Sequence, residues 1–139
     1  MSAEPARLIW SLTNSGLGTT IAANGNSGVW QSPGVPPWTP NALSAIDLRY
    51  IEDVWIAVSA GAIVSSPSLV VKLNVFDGQG NKFLAYAFSA LTTATTEQVS
   101  LGKHGGSASS YIAFPEWGQV AWTCSGGSMT GTEIAVYGR

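Results

Sequence analysis

Residues 68–77 alternate: Leu69, Val71, Leu73 and Val75 take one parity, and Val70, Lys72, Asn74 and Phe76 the other. A period of two places successive side chains on opposite faces of an extended chain, so this stretch predicts a half-buried strand. It runs into Asp77-Gly78-Gln79-Gly80-Asn81, whose glycines and Asx residues suit a tight reversal. Lys82-Phe83-Leu84-Ala85-Tyr86-Ala87-Phe88 again has strand composition, and together they predict a β-hairpin.

The same reading marks further strands at 7–12, 18–23, 45–50, 54–60, 97–101, 111–114, 120–125 and 132–137. Asn24-Gly25-Asn26, Ser65-Ser66-Pro67, Gly105-Gly106 and Ser125-Gly126-Gly127 stand between them as punctuation. No stretch sustains an apolar period of 3.6 with capping residues, which limits helix to about one turn, placed at 41–46. Many short strands separated by turns predict an all-β fold: an antiparallel β-sandwich, jelly-roll-like, with little helix. A chain of 139 residues suits a single domain over 1–139, with an N-terminal arm at 1–12 and a Pro/Trp-rich loop at 31–40. Four prolines in that loop remove backbone donors and exclude a central strand.

Composition changes the picture at the surface. Only 10% of residues are charged, against roughly a quarter in an ordinary soluble domain, and six are Trp. Interface cores are likewise poor in Lys, Glu and Asp and rich in aromatics, although Trp also fills sandwich cores. Irregular apolar segments gain most from a covering neighbour, so Leu8, Ile9, Trp10, Trp30, Val35 and Trp38 are the candidate interface residues. Capping of the chain's own core is the other reading of the same residues. The six basic residues are scattered through a chain of net charge −2, which leaves no cationic footprint for nucleic acid.

Candidate chemistry is thin. The lone histidine, His104, lies between glycines that would not hold a general base rigidly. The lone cysteine, Cys124, sits in an apparent strand and reads as a small buried hydrophobe. One His and one Cys do not make a typical zinc site, so neither metal nor other cofactor is expected. Asp77, Gln79 and Asn81 lack the terminal acid of a calcium loop. Glu52 and Asp53, adjacent in an extended segment, would point apart, while Glu97, Glu116 and Glu133 are acids that only the fold could bring together. The expectation is a protein that binds and does not catalyse. No membrane segment is expected, because no window nears the roughly 18 apolar residues of a span and the first ten residues lack a signal-peptide pattern.

From about Ile46 onward the order of features resembles the small β-sandwich or jelly-roll proteins that decorate the heads of tailed bacteriophages. The features are Ile56-Ala57-Val58-Ser59-Ala60, then Ser66-Pro67-Ser68-Leu69-Val70-Val71 leading to Phe76-Asp77-Gly78, the run Thr92-Thr93-Ala94-Thr95-Thr96, and Val120-Ala121-Trp122-Thr123-Cys124-Ser125-Gly126-Gly127. They cover about two thirds of the chain; the stretch from Trp30 to Pro40 has no counterpart. The resemblance implies a homotrimer on the outer capsid surface, bound to the major capsid protein and made in the host cytoplasm. The alternative is a carbohydrate- or receptor-binding module on the same fold, with Trp117 and Tyr111, near the loop 105–110, as its aromatic platform. A shell or tail-tube subunit is a third reading.

Overall fold

The computed structural model describes residues 5–13, 18–27, 46–48, 51–76, 82–102 and 117–139. Within them the chain is all-β and antiparallel, as the alternation predicts, and no helix occurs among the described residues. The strands are β1 (Arg7–Ser11), β2 (Thr19–Ile21), β3 (Gly25–Asn26), β4 (Ile46–Asp47), β5 (Asp53–Ala60), β6 (Ala62–Phe76), β7 (Lys82–Ala87), β8 (Thr95–Gly102) and β9 (Trp117–Gly138).

Two long runs of chain organise everything else. β5 and β6, joined through Gly61, lie antiparallel along β9, with Ser59 opposite Glu133 and Ala62 opposite Thr130. β8 flanks β5 and β7 flanks β6, while β1 to β4 pair in turn along the other side of β9. One sheet therefore reads β8-β5-β9-β1, and the other reads β7-β6-β9 followed by β2, β3 and β4. This is a jelly-roll-like arrangement, in which a long antiparallel ribbon bends so that its two halves pack against each other.

The bend is built at Gly61 and Gly131. A Cβ on Gly61 would stand 1.6 Å from the Thr130 carbonyl oxygen, and Gly131 has φ +65°. Between them the fully buried Thr132 hydroxyl accepts from the Gly61 N–H at 3.1 Å and donates to the Met129 carbonyl at 3.2 Å. Backbone groups that leave the ladder at the corner are thus satisfied by one side chain.

Inward parity fills a single apolar cluster. Val54, Ile56, Val58, Leu101, Ile134 and Val136 come from the β5 sheet, and Leu69, Val71, Leu73, Val120 and Met129 from the β6 sheet. Cys124 is buried in this cluster, its thiol 3.6 Å from the Ile21 carbonyl oxygen, so it serves as packing.

The structure corrects several boundaries. The expected strands 120–125 and 132–137 are one strand, β9, and Ser65-Ser66-Pro67 lies inside β6. Ser66 and Pro67 oppose Gly126 alone, a β-bulge with Ser65 at φ +66° and Gly126 at φ +80°. Gly25 and Asn26, expected as a turn, form β3 against Trp122 and Ala121. Ile46, assigned to a helical turn, is in β4; the remainder of that turn, the strand 111–114, the hairpin tip 77–81 and the loop 31–40 fall outside the described residues. The β6–β7 hairpin itself is present, with Phe76 opposite Lys82. Its first strand is half-buried only in its earlier part, because Asn74 and Phe76 are buried along with Leu73 and Val75.

Candidate functional site

Because parity on a strand fixes the face, the residues out of phase with the core form the outer surfaces. On the β5 sheet, Leu8 of β1 stands opposite Tyr137 of β9, which stands opposite Trp55 of β5. Directly opposed positions place Cβ atoms about 4.5–5.5 Å apart, so the three side chains form a continuous apolar row across the sheet. Leu8 is 53% exposed and Tyr137 36%, with Trp55 half-buried beside them.

Arg139 closes one end of this row. Its guanidinium carbon lies 5.2 Å from the Trp55 ring centroid, and its Nε donates to Asp53 Oδ2 at 3.1 Å. The main chain holds it as well, since the Arg139 N–H donates to the Asp53 carbonyl and the Arg139 carbonyl accepts from Glu52 and Asp53. Cation, carboxylate and ring are thereby fixed on a regular strand pair. Four residues from Tyr137 along β9, Glu133 accepts from the Thr13 hydroxyl and N–H and from the Ile134 N–H, clipping the end of β1 to β9.

The outer face of the β6 sheet differs. A groove of about 380 Å³ runs among Val70, Lys72 and Asn74 of β6, Lys82 and Leu84 of β7 and Thr123 of β9. Its floor includes the buried Asn74 amide, which donates to Gln119 Oε1 at 3.2 Å. Lys72 and Lys82 are exposed on its rim.

Of the candidate interface residues, Leu8 lies on the exposed row. Ile9 is the extra residue of a bulge between Leu8 and Trp10, and both Ile9 and Trp10 pack partly buried against the core. Trp30, Val35 and Trp38 fall outside the described residues, as do Tyr111, His104, Glu116 and the Asp77-Gln79-Asn81 turn. Trp117 is half-buried opposite Phe76 and Asp47. Glu97 opposes Val58 and Glu133 opposes Ser59, so the fold directs these two acids to opposite faces of the β5 sheet. Among the described residues no group of His, Cys, Asp and Glu gathers as a metal site. Sequence reasoning missed Trp55, Tyr137 and Arg139. Trp55 is out of phase with Val54, Ile56 and Val58, as Tyr137 is with Ile134 and Val136, and that phase was the available signal.

No family model and no curated protein matches the sequence. Among solved structures the chain is similar to infectious bursal disease virus of the Gx strain, at 12% identity and TM-score 0.45 over 98% of this chain and 34% of that one. It is also similar to the VP2 subviral particle of that virus, at 14% identity and TM-score 0.47 over 98% and 33%. The T13 particle of the virus gives 16% identity and TM-score 0.43 over 98% and 32%. The chain thus spans about a third of the length of these viral chains. A likeness of this degree carries no functional argument.

Proposed function

We propose that this chain is a structural virion protein that binds the outside of a tailed-phage capsid as a homotrimer, seated on the major capsid protein, and stabilises the shell. It acts by contact area and not by catalysis. The observation that carries this reading is the row Leu8–Tyr137–Trp55, an exposed apolar strip that ends on a charge pair, Arg139 with Asp53. Covering that end of the strip costs little desolvation, because its two charges are already paired. The resemblance of residues from Ile46 onward to head decoration proteins supplies the partner.

A ring of three copies needs two different patches on each copy. The strip is one; Trp30, Val35 and Trp38 contribute the other on the strength of their sequence. The competing carbohydrate-binding reading fits this face less well, since Arg139 stands over the Trp55 ring where a sugar would stack. Sedimentation with capsids of the encoding phage, purified without this protein, tests the proposal. Saturable binding in multiples of three copies, with a higher temperature of shell disruption, is the expected result. Protein left in the supernatant at micromolar concentration contradicts it.

A further inference from the structure

β7 forms one end of the strand order, and among the described residues it pairs only with β6. An edge strand with free backbone donors and acceptors templates another strand unless it is covered or charged. Phe83, 56% exposed, and Leu84, 60% exposed, are the most exposed large apolar side chains among the described residues. They project to opposite faces, Leu84 beside Asn74 and Phe83 beside Val75.

The edge is held in place. The Phe88 N–H donates to the Val71 carbonyl at 2.9 Å, and the Tyr86 and Phe88 rings meet edge to face at 5.0 Å. A strand already fixed in extended form pays little ordering cost when a second strand joins it. Beside it lies the groove of about 380 Å³, with Leu84, Val70 and Thr123 in its walls and Lys72 and Lys82 on its rim. Neither lysine makes an ion pair or hydrogen bond among the described residues. Both ammonium groups thus line one groove without a counter-charge among the described residues.

We propose that the β7 edge and this basic groove dock an extended, acidic segment of a partner protein, added as a further strand of the β6 sheet. Main-chain hydrogen bonds to β7 would supply affinity, and alternate side chains would supply selectivity: carboxylates toward Lys82 and the longer reach of Lys72, an apolar side chain against Leu84. A protein strand is favoured over a free acidic sugar because Lys82 and Leu84 of the groove wall are themselves residues of the edge strand. The inference deepens the shell-binding proposal by naming a surface and a partner chemistry. It is tested on the isolated chain, so its failure and that of the shell reading are separate results.

The test is an NMR titration of the ¹⁵N-labelled full chain with a capped ten-residue peptide alternating glutamate with valine or threonine. The lysine counterpart of the peptide and an oligoglucuronate are run beside it. The glutamate peptide is expected to shift amides of 82–87 and of the groove and to lose affinity with added NaCl. Binding should weaken at least about ten-fold in Lys72→Glu/Lys82→Glu, two exposed charge contacts being reversed. A variant spectrum otherwise superimposable on the native one establishes that the fold is kept; should that variant unfold, Lys82→Gln alone replaces it. Absence of shifts at β7, equal binding of the lysine peptide, unaltered binding by the variant, or binding of the oligoglucuronate without the peptide would each overturn the proposal.

Discussion

The two outer faces of the sandwich are made by the same rule of alternation and differ in how their charges are disposed. On the β5 sheet Arg139 is paired with Asp53 and lies over Trp55, so the row Leu8–Tyr137–Trp55 presents apolar surface that ends on a neutralised charge pair. On the β6 sheet Lys72 and Lys82 flank a groove with no counter-charge among the described residues. The first surface loses little when buried for good. The second is costly to bury unless the partner brings carboxylates, which makes it selective. A nearly uncharged protein can in this way carry one permissive contact and one discriminating contact on a single small fold.

The corner common to both sheets offers the most drastic way to break the comparison. Gly61→Ala drives a methyl group into the Thr130 carbonyl and should cost ~3 kcal/mol or more in urea unfolding, disordering both faces together. A loss below ~1 kcal/mol would mean that the two sheets are not coupled there. Thr132→Val removes the hydroxyl that satisfies the Gly61 N–H and uses the Met129 carbonyl, and should cost about 1–3 kcal/mol by the same measurement.

Effects no larger than this separate the faces. Leu8→Ser with Tyr137→Ser should abolish self-association while costing the dissociated chain about 1–3 kcal/mol, since Tyr137 is only 36% exposed and loses its contacts across the row. Arg139→Ala removes an ion pair about a third exposed on each side together with a cation–π contact, and should cost under ~1 kcal/mol, less still in 0.5 M NaCl. Lys72→Glu/Lys82→Glu should leave the thermal midpoint and the oligomeric mass unchanged. Any change in mass would place self-association on the β6 sheet and reverse the assignment of the two faces.

The sequence made the long strands legible wherever alternation ran uninterrupted, as in 54–60 and 68–76. It misled wherever a strand carried glycine. Ser65-Ser66-Pro67 and Ser125-Gly126-Gly127 look like two separate breaks, yet they face each other across the β6–β9 ladder as the two sides of one bulge. Glycine at positive φ marks a bulge or a corner as readily as a turn, and only the pairing register tells them apart. β2, β3 and β4 are too short to show a period at all. Of the candidate interface, Leu8 was found through apolarity, whereas Ile9 and Trp10 share that apolarity and pack partly buried against the core, because the bulge at Ile9 decides the phase. Trp55 and Tyr137 carried a signal in being out of phase with their buried neighbours. The Lys72–Lys82 groove carried none, since it depends on Phe76 pairing with Lys82.

Self-association through the β5 sheet is decided by the molar mass of the purified protein, measured by light scattering over a dilution series. The account predicts three times the 14.4 kDa chain, persisting into the low micromolar range for the native protein and falling to a single chain for the Leu8→Ser/Tyr137→Ser variant. A native protein that is monomeric at every concentration, or a variant that keeps the native mass, would contradict it.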